Sequence, residues 1–125
     1  MLDLLSISTG QAELVKDYWP GPLSMEFNTP NAPQWLHHGA NHFAIRQPNY
    51  PELLSLIDKV GPIISTSANL QGQAPAISAE QALKIFNQKL DFYVDVGVIN
   101  NKPSTLVVVD NGKLNVVREG AVKIS

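Results

Sequence analysis

Pro51-Glu52-Leu53-Leu54-Ser55-Leu56-Ile57-Asp58-Lys59-Val60-Gly61-Pro62-Ile63-Ile64-Ser65-Thr66 is the stretch on which the fold reading turns. Proline suits the first helical turn, where its missing N–H costs nothing, and Leu53, Leu54, Leu56 and Ile57 form a broad apolar helical face. Gly61 supplies the left-handed position that closes such a helix. Pro62 to Thr66 then reads as a short, continuously apolar strand of the buried kind. A helix running straight into a buried strand predicts an α/β layer.

Working outward, Ser8-Thr9-Gly10-Gln11 has the spacing of a capping box, so a short helix with Leu14, Val15 and Tyr18 on one side is expected before Pro20. Leu23 to Phe27 and Phe43 to Arg46 read as extended, separated by an Asn-, Pro- and His-rich loop over Asn28 to Asn41. Ser78-Ala79-Glu80-Gln81 reads as a second capping box opening a helix that ends near Leu90, with Ala82, Leu83, Ile85, Phe86 and Leu90 expected on its buried side. Phe92 to Asp95, Thr105 to Val109 and Leu114 to Arg118 are predicted strands. Asn111-Gly112 folds the last two into a hairpin, because both residues tolerate the positive φ of a type I′ turn. The expectation is one domain over residues 1–125, an α/β fold with a twisted mixed sheet and flanking helices.

Composition narrows the chemistry. With 125 residues, 44% of them hydrophobic, the chain is long enough for one core. Nine Lys and Arg against eleven Asp and Glu leave a formal charge of -2, without the cationic excess that drives nucleic-acid binding. The absence of cysteine excludes disulfides, thiolate metal sites and thiol nucleophiles. No apolar run approaches the roughly 20 residues of a membrane span. With an acidic residue in Met1-Leu2-Asp3-Leu4-Leu5, the reading is a cytoplasmic protein with no membrane partner.

Ser65-Thr66-Ser67-Ala68-Asn69 sets three hydroxyls and an amide where a strand is expected to run out into a loop, the place where open α/β sheets bind ligands. Satisfying the backbone of a tight turn is the commoner duty of such residues. Arg46, at a strand end, carries a guanidinium suited to bidentate capture of a carboxylate or phosphate. Ser104 and Arg118 should lie at the same end of the hairpin that Asn111-Gly112 makes. His37, His38 and His42 lack a carboxylate at metal-ligand spacing and read as loop residues. Walker, dinucleotide and nucleophile-elbow motifs are missing.

The order of segments resembles the YrdC/TsaC family. Trp19-Pro20-Gly21-Pro22-Leu23-Ser24 is similar to its W-P-G-P-L-T, Ala44-Ile45-Arg46-Gln47-Pro48 to its V-R-x-P, and Ile64-Ser65-Thr66-Ser67-Ala68-Asn69 to its S-T-S-A-N. Pro103-Ser104-Thr105 and Val117-Arg118-Glu119-Gly120-Ala121 are similar to its P-S-T and R-x-G-A. The resemblance implies a YrdC-like sheet around a concave cleft and an L-threonylcarbamoyladenylate synthase. Such an enzyme condenses L-threonine, bicarbonate and ATP, with Mg2+ carried on the phosphates, to threonylcarbamoyl-AMP and pyrophosphate for tRNA modification. It assigns Arg46, Ser65 and Ser104 to L-threonine and Ser67, Asn69, Arg118 and His42 to the nucleotide, with no nucleophile and no side-chain metal site. Other threonylcarbamoylation proteins and tRNA are the implied partners, and a non-catalytic double-stranded-RNA-binding relative is the alternative. The family's P-T-D-T-x-Y-G and K-x-R motifs have no match, so the resemblance implies a chain that starts after them and binds ATP weakly. Ser24 stands for the usual Thr, and Asp95-Val96-Gly97 for acid-Gly-Gly.

Overall fold

In a computed structural model, residues 8–28 and 42–124 are described. They form two compact units, one from residues up to Pro62 together with Lys102 onward, the other from Ile63 to Asn101.

The first unit opens with helix α1 (Thr9–Val15), and its capping box forms as the sequence predicts. The Ser8 hydroxyl accepts from the Gln11 N–H at 3.2 Å, and the Gln11 side chain accepts from the Ser8 N–H at 3.0 Å. The Tyr18 and Trp19 N–H groups both donate to the Val15 carbonyl, so the last turn closes just before Pro20. Strands β1 (Leu23–Asn28) and β2 (His42–Ile45) follow, then helix α2 (Pro51–Val60), stopped by Gly61 at φ 82°. Strands β3 (Thr105–Asp110) and β4 (Lys113–Arg118) make the hairpin, with Asn111 at φ 50° and Gly112 at φ 72° in its turn. The order across the sheet is β2-β1-β3-β4, with β1 and β3 parallel and both outer pairs antiparallel. The loop expected between β1 and β2, with His37 and His38, lies largely outside the described residues, whereas His42, expected as a loop residue, opens β2.

Alternation along β1 decides where the core sits. Leu23, Met25 and Phe27 are buried together with Val107 of β3 and Val15 of α1. Tyr18, Trp19, Ile45, Val109, Leu114 and Ile124 pack around them. Fully burying a residue such as Phe27 contributes roughly 2–3 kcal/mol relative to leaving it exposed. The Trp19 ring lies 6.5 Å from that of Phe27, and its indole N–H donates to the Leu23 carbonyl at 2.8 Å, so the ring is used at both its apolar and polar ends.

The second unit holds helix α3 (Ala79–Phe86), capped by the Ser78 hydroxyl and continued by a 3-10 turn over Asn87–Lys89. Two expected strands do not form. Pro62 to Thr66 pairs with nothing among the described residues, and Ile64 is 70% exposed rather than buried. An apolar run specifies burial but not a ladder partner, and Pro62 brings no N–H to a ladder. Phe92 to Asp95 is likewise outside the sheet, with Phe92 76% exposed. There the Asp95 carboxylate accepts from the Gly97 N–H at 2.9 Å while Gly97 sits at φ 82°, a local turn that bends the chain out of the extended state.

Candidate functional site

Because β1 sends Leu23, Met25 and Phe27 into the core, Ser24 and Glu26 stand on the opposite face of the sheet. The register fixes their neighbours. Ser24 pairs with Leu106 on β3, and Leu106 with Arg118 on β4. Glu26 pairs with Ala44 on β2 and Val108 on β3. Residues paired side by side share a face, so His42, Ala44, Ser24, Glu26, Leu106, Val108 and Arg118 occupy this second face. Arg46 directly follows β2, whose pairing with β1 ends at Met25–Ile45; beyond it the Gly21 N–H donates to the Gln47 carbonyl at 2.8 Å, so the ladder register is not continued to Arg46. The transverse row on this face reads Ser24, Leu106, Arg118.

At the β4 end the contacts are direct. The Ser24 and Ser104 hydroxyls are 2.8 Å apart, and Ser104 is buried. The Arg118 guanidinium donates through Nη2 to the Ser104 carbonyl at 2.9 Å and to its hydroxyl at 3.4 Å. This bears out the expectation that Ser104 and Arg118 share one end of the hairpin. A guanidinium has five N–H donors in a fixed fork, so fixing one nitrogen sets the orientation of the others.

What holds Ser104 and Arg118 in place is a clasp that the sequence reading left without a role. Thr105, fully buried, donates from its hydroxyl to the Val122 carbonyl at 2.6 Å and accepts from the Val122 N–H at 3.0 Å. The Ala121 N–H donates to the Pro103 carbonyl at 2.9 Å, and the Thr105 N–H to the Pro22 carbonyl at 3.0 Å. The segment after β4 thus lies flat against Pro103–Thr105. Gly120 permits that approach: a Cβ there would stand 2.5 Å from the Ser104 carbonyl carbon and collide with the Pro103 oxygen and the Thr105 nitrogen. Ser24, Thr105 and Gly120 were legible as members of short motifs, but their duties appear only when the two segments are seen together.

The Ser65–Asn69 stretch belongs to the second unit. Ser65, Thr66 and Ser67 are exposed, and the Asn69 N–H donates to the Ser67 carbonyl at 3.0 Å. The Asn69 amide donates to the Leu70 carbonyl at 2.9 Å, while its buried Oδ1 has no hydrogen-bond partner among the described residues. The Ala76 N–H donates to the Ala68 carbonyl at 2.8 Å and closes the loop around Gly72, which is at φ 81°. The three serine and threonine hydroxyls therefore sit on an exposed loop and not at the end of a buried strand.

Comparison with known proteins puts this geometry in context. The model of the Sua5/yciO/yrdC family, described as "Telomere recombination", matches residues 2–120. A protein of Buchnera aphidicola named threonylcarbamoyl-AMP synthase is 33% identical over 112 residues, covering 86% of this chain and 63% of the relative. One of the same name from Pseudoalteromonas translucida is 34% identical, covering 77% of this chain and 53% of the relative. The chain thus spans about half the length of the curated relatives it matches. Among solved structures, Sua5 of P. abyssi complexed with L-threonine superposes with a TM-score of 0.81 at 27% identity, covering 95% of this chain and 36% of that one. E. coli YciO superposes at 0.73 with 25% identity, covering 98% of this chain and 64% of that one. The four-stranded mixed sheet with its helices is the arrangement these likenesses share.

Proposed function

The chain belongs to the Sua5/YciO/YrdC family, and from that premise we propose that it carries the anion-holding sheet of an L-threonylcarbamoyladenylate synthase. The reaction joins the L-threonine amine and bicarbonate as a carbamate with loss of water, and the carbamate oxygen then attacks the α-phosphate of ATP, releasing pyrophosphate. Its substrates bring a carboxylate and a triphosphate to one place, so the protein must hold two anions a set distance apart. The observation that carries the reading is the cluster in which Arg118 is held by Ser104 with Ser24 beside it, on the sheet whose outer strand β2 leads directly into Arg46.

In this reading Arg46 takes the threonine carboxylate as a bidentate ion pair. Arg118 neutralises the nucleotide phosphates, while the Ser104 hydroxyl, already engaged by Ser24 and Arg118, orients the amino acid. His42 is assigned to the nucleotide as well. In the second unit Ser65 is assigned to threonine, and Ser67 and Asn69 to the nucleotide. The unpartnered Asn69 Oδ1 supports a ligand donor there. Catalysis would come from positioning and charge neutralisation, with no nucleophilic side chain. Among the described residues no three His, Asp or Glu side chains gather. Mg2+ would enter on the ATP phosphates. The product would feed tRNA threonylcarbamoylation in the cytoplasm, with the enzyme that transfers the group to tRNA as the partner. No helix among the described residues is long and apolar enough to cross a membrane.

The test is direct. The full chain, incubated with L-threonine, bicarbonate and ATP labelled at the α-phosphate, is expected to form labelled threonylcarbamoyl-AMP, with release of unlabelled pyrophosphate, only when all three substrates are present. Absence of product, together with calorimetric binding of neither ATP nor L-threonine, contradicts the reading.

A further inference from the structure

Ser24 is tied into the sheet from both sides. The Leu23 carbonyl before it accepts from the Trp19 indole N–H at 2.8 Å, and the Pro22 carbonyl accepts from the Thr105 N–H at 3.0 Å. These bonds seat the Ser24 hydroxyl 2.8 Å from that of Ser104. Protons can be counted at this junction. A hydroxyl has one proton to give and two lone pairs to receive, whereas a guanidinium only gives. The Ser104 oxygen therefore accepts from Arg118 Nη2 at 3.4 Å, and one hydroxyl proton is spent on the bond between the two serines. Neither hydroxyl has a further partner among the described residues, so the pair keeps one unspent O–H. Nor does Arg118 have a carboxylate partner among them: the ion pairs there are Lys16–Glu13 and Lys84–Glu80. An unspent hydroxyl proton beside a guanidinium without a counter-anion is complementary to an anionic oxygen.

We propose that Ser24 is a positioning residue for substrate binding. Its hydroxyl donates to Ser104, and the Ser104 proton is thereby directed to an anionic oxygen held beside Arg118. The guanidinium is bonded to Ser104 and not to Ser24, so the anion it holds lies beside Ser104 and draws that proton, leaving Ser24 as the donor within the pair. Without the Ser24 hydroxyl, one lone pair of Ser104 goes unfilled and its proton loses a fixed direction. This rests on the synthase reading given above, in which the oxygen belongs to the ATP phosphates or to the L-threonine carboxylate.

Calorimetry on the full chain, with ATP and with L-threonine, reads the outcome. Ser24→Thr and Ser24→Val are close in shape and both suit a strand, but only the first keeps a hydroxyl. Ser24→Thr is expected to bind as the wild type. Ser24→Val and Ser104→Ala should each lose about tenfold for one ligand, the effect of one hydrogen bond to a charged group. Which ligand weakens separates phosphate from carboxylate. The double variant should bind that ligand no more weakly than Ser104→Ala alone, because Ser24 then has nothing to orient; a merely structural Ser24 would add its own loss. Additive losses, an equal loss for both ligands, or Ser24→Val binding both as tightly as the wild type each overturn the assignment while the synthase reading stands. Should Ser24→Val fail to fold by circular dichroism, Ser24→Ala takes its place in the same cycle, and unchanged affinity of Ser104→Ala for both ligands overturns the assignment by itself. Binding of neither ligand by the wild type removes the synthase reading, and this inference with it.

Discussion

Replacing Thr105 by valine keeps the shape of a fully buried side chain and removes only its hydroxyl. That hydroxyl serves both polar groups of Val122, donating to the carbonyl at 2.6 Å and accepting from the N–H at 3.0 Å. Each buried polar group left unpaired costs roughly 1–3 kcal/mol. Val122 is half-buried, so water recovers part of the loss and the lower end applies to each group. The expected destabilisation is about 2 kcal/mol for the two together. For a chain of 125 residues, at roughly 4 °C per kcal/mol, the melting midpoint should fall by about 8 °C. Thr105→Ser, which keeps the hydroxyl and loses a methyl group, should fall by about half as much. Thermal melts followed by far-ultraviolet circular dichroism read both variants. A Thr105→Val midpoint within about 1 °C of wild type would refute the clasp, since the loss of a stabilising pair of bonds must show at that scale.

The same clasp predicts that Gly120→Ala destabilises by about 1–3 kcal/mol, because the new Cβ meets backbone atoms of Pro103–Thr105 that cannot swing aside; urea unfolding measures it. Gly112→Ala, at φ 72° in open space, should cost about 1 kcal/mol through backbone strain alone and leave ligand binding unchanged. Arg118→Lys is expected to weaken ATP binding by about tenfold or more in calorimetry, since a point charge cannot hold Ser104 and a phosphate with one planar fork. The Lys84 ammonium, by hydrogen bond and charge, holds the Glu80 carboxyl below its ordinary value of 4.5. The sign follows: the ionised form is favoured in the folded state, so its small contribution is present above pH 4.5 and fades as the pH falls below it. Both side chains are exposed, so Glu80→Gln should shift the urea midpoint at pH 7 slightly and only at low salt.

Local signals were the most legible in the sequence. The capping box at Ser8, the stop at Gly61 and the Asn111-Gly112 turn each depend on a few neighbouring residues and formed where the spacing placed them, whereas at Ser78 only the N-cap bond formed and the Gln81 side chain accepts from the Ile77 N–H. Strands β1, β3 and β4 were legible because period-2 or apolar patterns coincide there with turn signals on either side. Pro62–Thr66 and Phe92–Asp95 carry the same kind of pattern without forming strands, because a strand is completed by a partner that no local pattern names. The pairing of Ser104 with Arg118 could be read through the hairpin. The contact of Ser24 with Ser104 could not, as it depends on the parallel register of β1 against β3, which joins residues 80 positions apart. Gly120 shows the same limit, since a glycine in sequence does not reveal which backbone it lets approach.

Amide shifts in 15N-labelled chain, recorded as L-threonine and then ATP are added, probe the ligand-bearing face residue by residue. The expected result is that Ser24, Arg46, Ser104 and Arg118 move together while Val15 and Phe27, on the core side of the sheet, stay in place. Shifts confined to the core side or to α1, with those four amides unmoved at saturating ligand, would contradict it.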